Sequence, residues 1–182
     1  MQHRLIAHAI VSDDDRIADR EGRFPDALRN DADWRQFQAA LDRASLTLLG
    51  RASHEAAPNV RRRRRLILSR RVRGLSQDGE GWWFNPADIL LAEVLGRLMP
   101  DGGEVGVPGG QAVFDLVGPA GFAEFHLARA HGVHLPGGRG VFAACESGVA
   151  ADELLAAGGL SAGPAEMIDP ENAVSLTVWR RT

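Results

Sequence analysis

The stretch LTLLGRASHE, Leu46 to Glu55, joins an apolar run of strand character to a glycine, a fixed cation and a small hydroxyl. Leu46 to Leu49 has the composition of a buried strand. Gly50 would let the backbone approach a ligand closely. The Arg51 guanidinium offers a rigid fork suited to phosphate oxygens. If a helix starts near Ser53, free backbone N–H groups add to an anion site. A plain strand-to-helix turn with a surface arginine fits the same residues.

Two other stretches repeat the pattern. LILSRR, Leu66 to Arg71, is an apolar strand that ends in a hydroxyl, Ser69, followed by Arg70 and Arg71. A solvated strand end reads the same way. In VGVPGGQAVFDLV, Gly109-Gly110 follows a strand and precedes a helical stretch starting near Gln111. Paired glycines there permit unusual backbone angles and close approach to a pyrophosphate, although the full dinucleotide fingerprint is absent. A tight turn is the alternative.

Working outward, Leu5 to Val11 reads as the first strand, and Ser12 to Pro25 as a polar, flexible segment. DADWRQFQAALDRA reads as a helix from Asp31, capped by Asp31 or Asp33, with Trp34, Phe37 and Leu41 at helical spacing. Ser76 to Phe84 reads as a Gly-rich loop. PADILLAEVLGRLM reads as a second helix begun by Pro86, with Ile89, Leu90, Val94 and Leu98 on one face. AEFHLARAHGVHL and AVSLTVWRR read as late strands. Strands alternating with helices imply an α/β fold with a mostly parallel sheet, completed by antiparallel strands from about Phe122 onward. No repeat or linker divides the chain, so one domain over residues 1–182 is expected. Ligands of such sheets sit beyond the carboxyl ends of the strands.

Composition removes several chemistries. The 182 residues include no Lys and no Tyr, which excludes Schiff-base lysines, a phosphate-loop lysine and a Tyr-Lys relay. The cation for any anionic ligand must be Arg or His. With 45% apolar and 25% charged residues, a formal charge of −3 and no long apolar segment, the chain reads as an ordinary globular protein. The N-terminal stretch lacks the features of a signal peptide, and the lone Cys145 cannot form an internal disulfide. A cytoplasmic protein with no membrane partner is expected.

Other signals are weaker. Arg61 to Arg65 suggests a polyanion. The chain is mildly acidic and no aromatic residues are interleaved with the run, so a solvated loop is expected and a nucleic-acid partner is not. GGRGVFA, Gly137 to Ala143, matches a dinucleotide pattern without opening a strand–helix unit. HEAAP begins like a zinc-protease helix but has Pro58 where the second His belongs. His126, His131 and His134 lack a nearby Cys and are read as structural or solvated, so no metal is expected. Cys145 reads as a small buried apolar residue.

Three strand exits that each carry glycine, hydroxyl or arginine suit one extended ligand with several phosphates, such as NADPH. Their order resembles the dihydrofolate reductase-like fold family, in particular stand-alone relatives of the reductase domain of riboflavin biosynthesis. LIAHAIVSDDDRIA resembles that family's opening strand and S-x-D-G-x-I-A loop, and TLLGRASHE its GR-x-T segment. RLILSRR resembles its hydrophobic–Ser–Arg segment, VGVPGGQAVF its V-x-GG segment, and AEFHLARAHGVHLPGGRGVF its late strand pair and loop. Asp15 stands where the family has glycine, and Ser53 where it has Thr.

The resemblance implies a three-layer fold with helices on both faces of the sheet. It implies an NADPH-dependent reductase transferring hydride to a C=N or C=O bond of a pteridine- or ribosylaminopyrimidine-like heterocycle. Gly50, Arg51 and Ser53 would hold phosphates, with Arg51 favouring the 2′-phosphate. Leu68, Ser69 and Arg70 would meet the adenosine ribose, with the solvated Arg61–Arg65 loop near the adenine end, and Gly109, Gly110, Gln111 and Ala112 would meet the pyrophosphate. Ile17 and Ala18 would lie near the nicotinamide. Asp33, Trp34 and Phe37 would line the substrate pocket, with Asp33 the candidate acid acting through a water. A homodimer is implied by the riboflavin-type relatives. A non-catalytic nucleotide- or polyanion-binding protein of the same fold is the alternative.

Overall fold

Apolar runs of four to seven residues are too short to bury themselves as helices, and they become the central strands of a sheet. The computed structural model describes residues 2–181. Its core strands are β1 (His3–Val11), β3 (Leu46–Gly50), β4 (Arg65–Leu68), β7 (Gly103–Gly109) and β8 (Glu124–Ala130). Five more join the same sheet: β5 (Leu75–Gln77), β6 (Trp82–Phe84), β10 (Leu160–Ala162), β11 (Glu166–Asp169) and β12 (Val174–Arg181). The order is β10-β12-β8-β1-β7-β3-β4-β6-β5, with β11 beside β12. Strands β8, β1, β7, β3, β4 and β6 run parallel, whereas β12 and β5 are antiparallel to their neighbours. A separate two-stranded ribbon pairs β2 (Arg16–Ala18) with β9 (Arg139–Gly140). This is the expected mostly parallel sheet with antiparallel C-terminal strands, except that the antiparallel part starts later than Phe122: β8 is still parallel to β1, and the C-terminal antiparallel pairings are those of β12 with β8, β10 and β11.

The period of two along β1 sorts its side chains between two layers. Leu5, Ala7 and Val11 join Val105, Val107, Phe125 and Leu127 in the main core. That core includes Val94 and Leu98 of α3 (Leu91–Leu98), Val113 and Phe114 of α4 (Gln111–Val117) and Leu155 of α5 (Ala151–Ala157). Ile10 faces the other way, into a smaller cluster with Leu28, Ala128, Ala130 and Val174. The second face is covered by α1 (Asp31–Arg43). Gly106 permits that approach, since a Cβ there would lie 2.8 Å from Leu41 Cδ2. Among the described residues no helix is long and apolar enough to cross a membrane.

Local chemistry explains where elements differ from expectation. The cap of α1 is Asn30, whose side-chain oxygen accepts from the Asp33 amide at 3.0 Å, and not Asp31 or Asp33. Ser76 to Phe84 is not a loop: β5 and β6 form a hairpin whose turn is closed by Asp78 Oδ1, accepting from Glu80 and Gly81 amides. The glycines that suggested a loop supply only the turn, while Trp82, Trp83 and Phe84 supply strand character. The second helix is shorter than expected. Asn85 Oδ1 accepts from the Ala87 amide, Leu90 is extended at φ −71° and ψ 139°, and α3 begins at Leu91. Leu90 is therefore an exposed residue outside the apolar helix face.

Ser12 to Pro25 is also more ordered than its composition suggested. It contains β2, and its aspartates act as acceptors. Asp13 Oδ2 takes the Gly132 amide at 2.7 Å and Asp14 Oδ1 the Leu135 amide at 3.0 Å. Asp15 is buried with φ +58°, the left-handed conformation a glycine would supply. Its carboxylate accepts from Arg129 Nη2 at 2.7 Å and from the Ala151 amide at 2.9 Å. An aspartate tolerates this backbone and adds two bonds that a glycine cannot make.

Replacing Asp15 with Ala should lower the unfolding free energy by about 2 kcal/mol, because a partly buried guanidinium and a buried amide lose their acceptor. Asp15→Gly should recover only the backbone part of that loss. Urea unfolding followed by far-UV circular dichroism measures both. Gly109→Ala should cost at least as much, since φ is +92° and a Cβ would sit 2.4 Å from the Phe114 ring.

Candidate functional site

Parallel pairing brings the three strand exits to one edge of the sheet. Strands β7, β3 and β4 are adjacent, with Leu49 opposite Gly109 and Gly50 opposite Leu68. Gly50, Ser69 and Gly110 therefore leave the sheet side by side. β1 is parallel to β7, so the segment carrying Ile17 and Ala18 leaves at the same edge. Those two residues lie in β2, where Ile17 packs on the main core and Ala18 is buried opposite Arg139.

Each exit has its own geometry. At the first, Arg51 and Ser53 lie in α2 (Arg51–Ala56). Arg51 Nη1 donates to both oxygens of Glu55, at 2.7 and 3.0 Å. This pair is partly exposed and worth less than about 1 kcal/mol, so a phosphate can compete for the guanidinium. Ser53 Oγ points across to the third exit, 4.0 Å from where a Cβ on Gly110 would be. Nothing else crowds Gly110, whose backbone is open to close approach. Gly109 can only be glycine, and it holds the turn that presents Gly110.

At the second exit, Leu68 ends β4 and Ser69 is buried, its Oγ accepting from the Arg71 amide at 3.2 Å. Arg70 and Arg71, with Arg73, line an open groove of about 630 Å³ that also touches Gly74, Asn85 and Asp88. Arg73 was not among the expected residues, although the R-R-x-R spacing after Ser69 points to it. Gln111 and Ala112 open α4 beyond Gly110. Gln111 Nε2 donates to Gly140 O at 3.1 Å and to Glu146 Oε1, which ties the third exit to β9.

Arg16 is a further cation at this edge that sequence reasoning missed. It pairs with Gly140 across the ribbon, its side chain is 13% exposed, and its Nε and Nη1 are buried without a hydrogen-bond partner. The nearest carboxylate oxygen, of Asp14, is 3.9 Å from Nε. A buried guanidinium whose N–H groups find no acceptor is costly and is a good receptor for an acceptor atom brought by a ligand.

The α1 residues form a second group. Asp33 and Phe37 are one turn apart and share a helix face. The Trp34 ring is 5.9 Å from Phe37 and is 57% exposed. Phe37 in turn meets His8 of β1 edge-on at 6.0 Å. Asp33 accepts no hydrogen bond among the described residues, and burial pushes its carboxyl up to about 6. An acid with that value can be either protonated or charged near neutrality.

The arginine run lies elsewhere. It enters β4, whereas Ser69 leaves it, so the run is a strand's length from the candidate phosphate edge and not beside it. Nor is it simply solvated. Arg61 and Arg63 bind Asp42, Arg64 Nη2 donates to Leu98 O at 2.8 Å, and Arg65 is buried against His54 and Ala57 O. Gly137 to Ala143 runs from a turn through the two-residue β9 to the start of a short 3-10 helix, Ala143–Ser147, and is not a strand opening directly into an α-helix. Among the described residues no cluster of three or more His, Cys, Asp or Glu is arranged to hold a metal ion.

No protein-family model and no curated protein matches this sequence. Solved structures do match in fold. A protein assigned to riboflavin biosynthesis from Shewanella sp. PV-4 shares 18% identity with a TM-score of 0.69, over 98% of this chain and 99% of that one. A diaminohydroxyphosphoribosylaminopyrimidine deaminase/5-amino-6-(5-phosphoribosylamino)uracil reductase from Thermotoga maritima shares 14% with a TM-score of 0.72. That match covers all of this chain but 57% of the other, so this chain spans just over half of that protein. Dihydrofolate reductase from Enterococcus faecalis, solved with NADP(H), shares 19% with a TM-score of 0.69 over 100% and 98% of the two chains. The chain has the dihydrofolate reductase-like fold and is related in architecture to the riboflavin reductase domain.

Proposed function

We propose that this protein is an NADPH-dependent reductase of a pteridine- or ribosylaminopyrimidine-like heterocycle. The observation that carries the reading is the convergence of Gly50, Ser69 and Gly110 at one edge of the sheet. The residues fit the cofactor. Gly110 leaves room for a pyrophosphate where a side chain would intrude, Ser53 faces that room, and Arg51, Arg70 and Arg71 supply fixed cations for phosphates. NADPH, when bound, supplies the hydride.

The chain's own residues then have three tasks. Arg51 and the groove arginines hold the anionic end. Ile17 and Ala18, fixed by the β2–β9 ribbon, border the nicotinamide end and exclude water there. Asp33 holds the proton required at the substrate nitrogen or oxygen and delivers it through a water, while Trp34 and Phe37 flank the ring. An acid raised by burial suits that role, because it remains partly protonated at working pH.

NADPH fluorescence titration should give a dissociation constant about tenfold weaker for Arg51→Ala, with NADH binding unchanged, as loss of one charge-assisted phosphate contact implies. Unchanged NADPH binding would remove Arg51 from the site. NADPH oxidation against a panel of pterins and aminopyrimidines tests the activity itself, and no turnover with any member would argue for the non-catalytic alternative.

Asp33 gives two linked outcomes. The folded protein holds the Asp33 proton more tightly than an unfolded chain, whose carboxyl titrates near about 4. Its favourable contribution is full below about pH 4 and is lost as pH rises through about 6. Asp33→Asn should therefore raise stability at pH 8 by on the order of 2 kcal/mol, and leave it unchanged below about pH 4. In the same variant the fall in turnover as pH rises through about 6 should disappear along with most of the activity. Urea unfolding at both pH values and a kcat/KM profile measure the two effects.

A further inference from the structure

Two imidazoles on the α1 side of the sheet have no role in the reading above. His8 of β1 and His126 of β8 are direct partners in the parallel register, with rings 4.4 Å apart and tilted by 32°. Two positions further along the same strands and face are Ile10 and Ala128, both apolar and buried. Phe37 stands edge-on to His8, and Asp33 is one turn before Phe37. Acid, aromatic and imidazole thus follow one another from the helix down to the sheet.

The two rings differ in what they have left to offer. His126 Nε2 donates to Glu124 Oε2 at 3.2 Å. His8 has no hydrogen-bond partner among the described residues, and its ring nitrogens are not sealed from solvent. Burial, with the neighbouring His126 and Arg43, lowers the His8 pKa to about 3, so the ring is neutral. A neutral imidazole carries one N–H donor and one bare nitrogen. The positive charge of Arg43, felt at the ring, favours a ligand atom with negative partial charge, which is a partner for the N–H.

We propose that His8 determines substrate specificity by donating its ring N–H to a carbonyl oxygen of the heterocycle. This rests on the reductase reading of the site. It selects a planar ring that presents a carbonyl, as in pterin or an aminopyrimidinone. It disfavours the diamino analogue, which presents N–H donors where His8 offers its own.

The test is a fluorescence titration of NADPH-saturated protein with pterin and with diaminopteridine, using the wild type, His8→Leu and His8→Gln. The wild type should prefer pterin. His8→Leu should bind pterin about tenfold more weakly, as loss of one buried hydrogen bond implies, bind NADPH as before, and bind diaminopteridine at least as tightly as the wild type, since the opposed donor is gone. His8→Gln keeps an N–H donor and should restore most of the preference, which a purely structural imidazole would not require. If His8→Leu fails to fold, His8→Ala against His8→Gln reads the same difference. Unchanged pterin binding in the donor-less variant, or equal losses for both pteridines, overturns the proposal. NADPH binding with neither pteridine bound overturns it too while leaving the cofactor reading in place. A wild type that does not bind NADPH removes the reductase reading, and the role of His8 with it.

Discussion

Parallel pairing of β1, β7, β3 and β4 is the constraint on which the molecule depends. Parallel strands all leave a sheet at the same edge, and each must return by a crossover through another layer. Whatever follows their last residues is therefore brought together without any contact between the loops themselves. Gly50, Ser69 and Gly110 are neighbours because their strands are, and the register of Leu49 with Gly109 and Gly50 with Leu68 sets their level. The same alternation that buries Leu5, Ala7 and Val11 on one face leaves His8 on the other, under α1.

Polar bonds hold the loops that this edge requires. Three consecutive aspartates after β1 accept backbone and guanidinium N–H groups from residues 129–151, which lie far away in sequence. The result is a short segment with little apolar content that is nevertheless fixed, and it carries Arg16, Ile17 and Ala18 into the ribbon with β9. Arginine serves the same end at the opposite edge. Arg61, Arg63, Arg64 and Arg65 reach carboxylates, carbonyls and a histidine. A run that looks like a polyanion site in sequence is mostly spent on joining α1, α2, α3 and β4.

Apolar pattern and turn chemistry made much of this legible. Leu5 to Val11, Leu46 to Leu49 and Leu66 to Leu68 are strands because branched and apolar residues recur with no helical period. Gly109-Gly110 marks a turn because of the backbone angle required beside Phe114. The β5–β6 hairpin was hidden, since the glycines of its turn outweighed two short strands with tryptophans. The early start expected for α3 failed at Leu90 because Asn85 captures the first turn with its own side chain. Helix α5 and strands β9 to β11 carry too few residues each for periodicity to register.

By itself the sequence determined the α/β class, the order of the strand exits and the residue types placed at them, because these follow from short-range pattern and composition. It also determined that every fixed cation would be a guanidinium. Tertiary structure alone decided which of those residues meet. It left Arg16 buried without a hydrogen-bond acceptor, took the arginine run away from the ligand edge and set His8 against His126. Such pairings depend on sheet order and on contacts between residues up to about a hundred positions or more apart, and no local propensity encodes them.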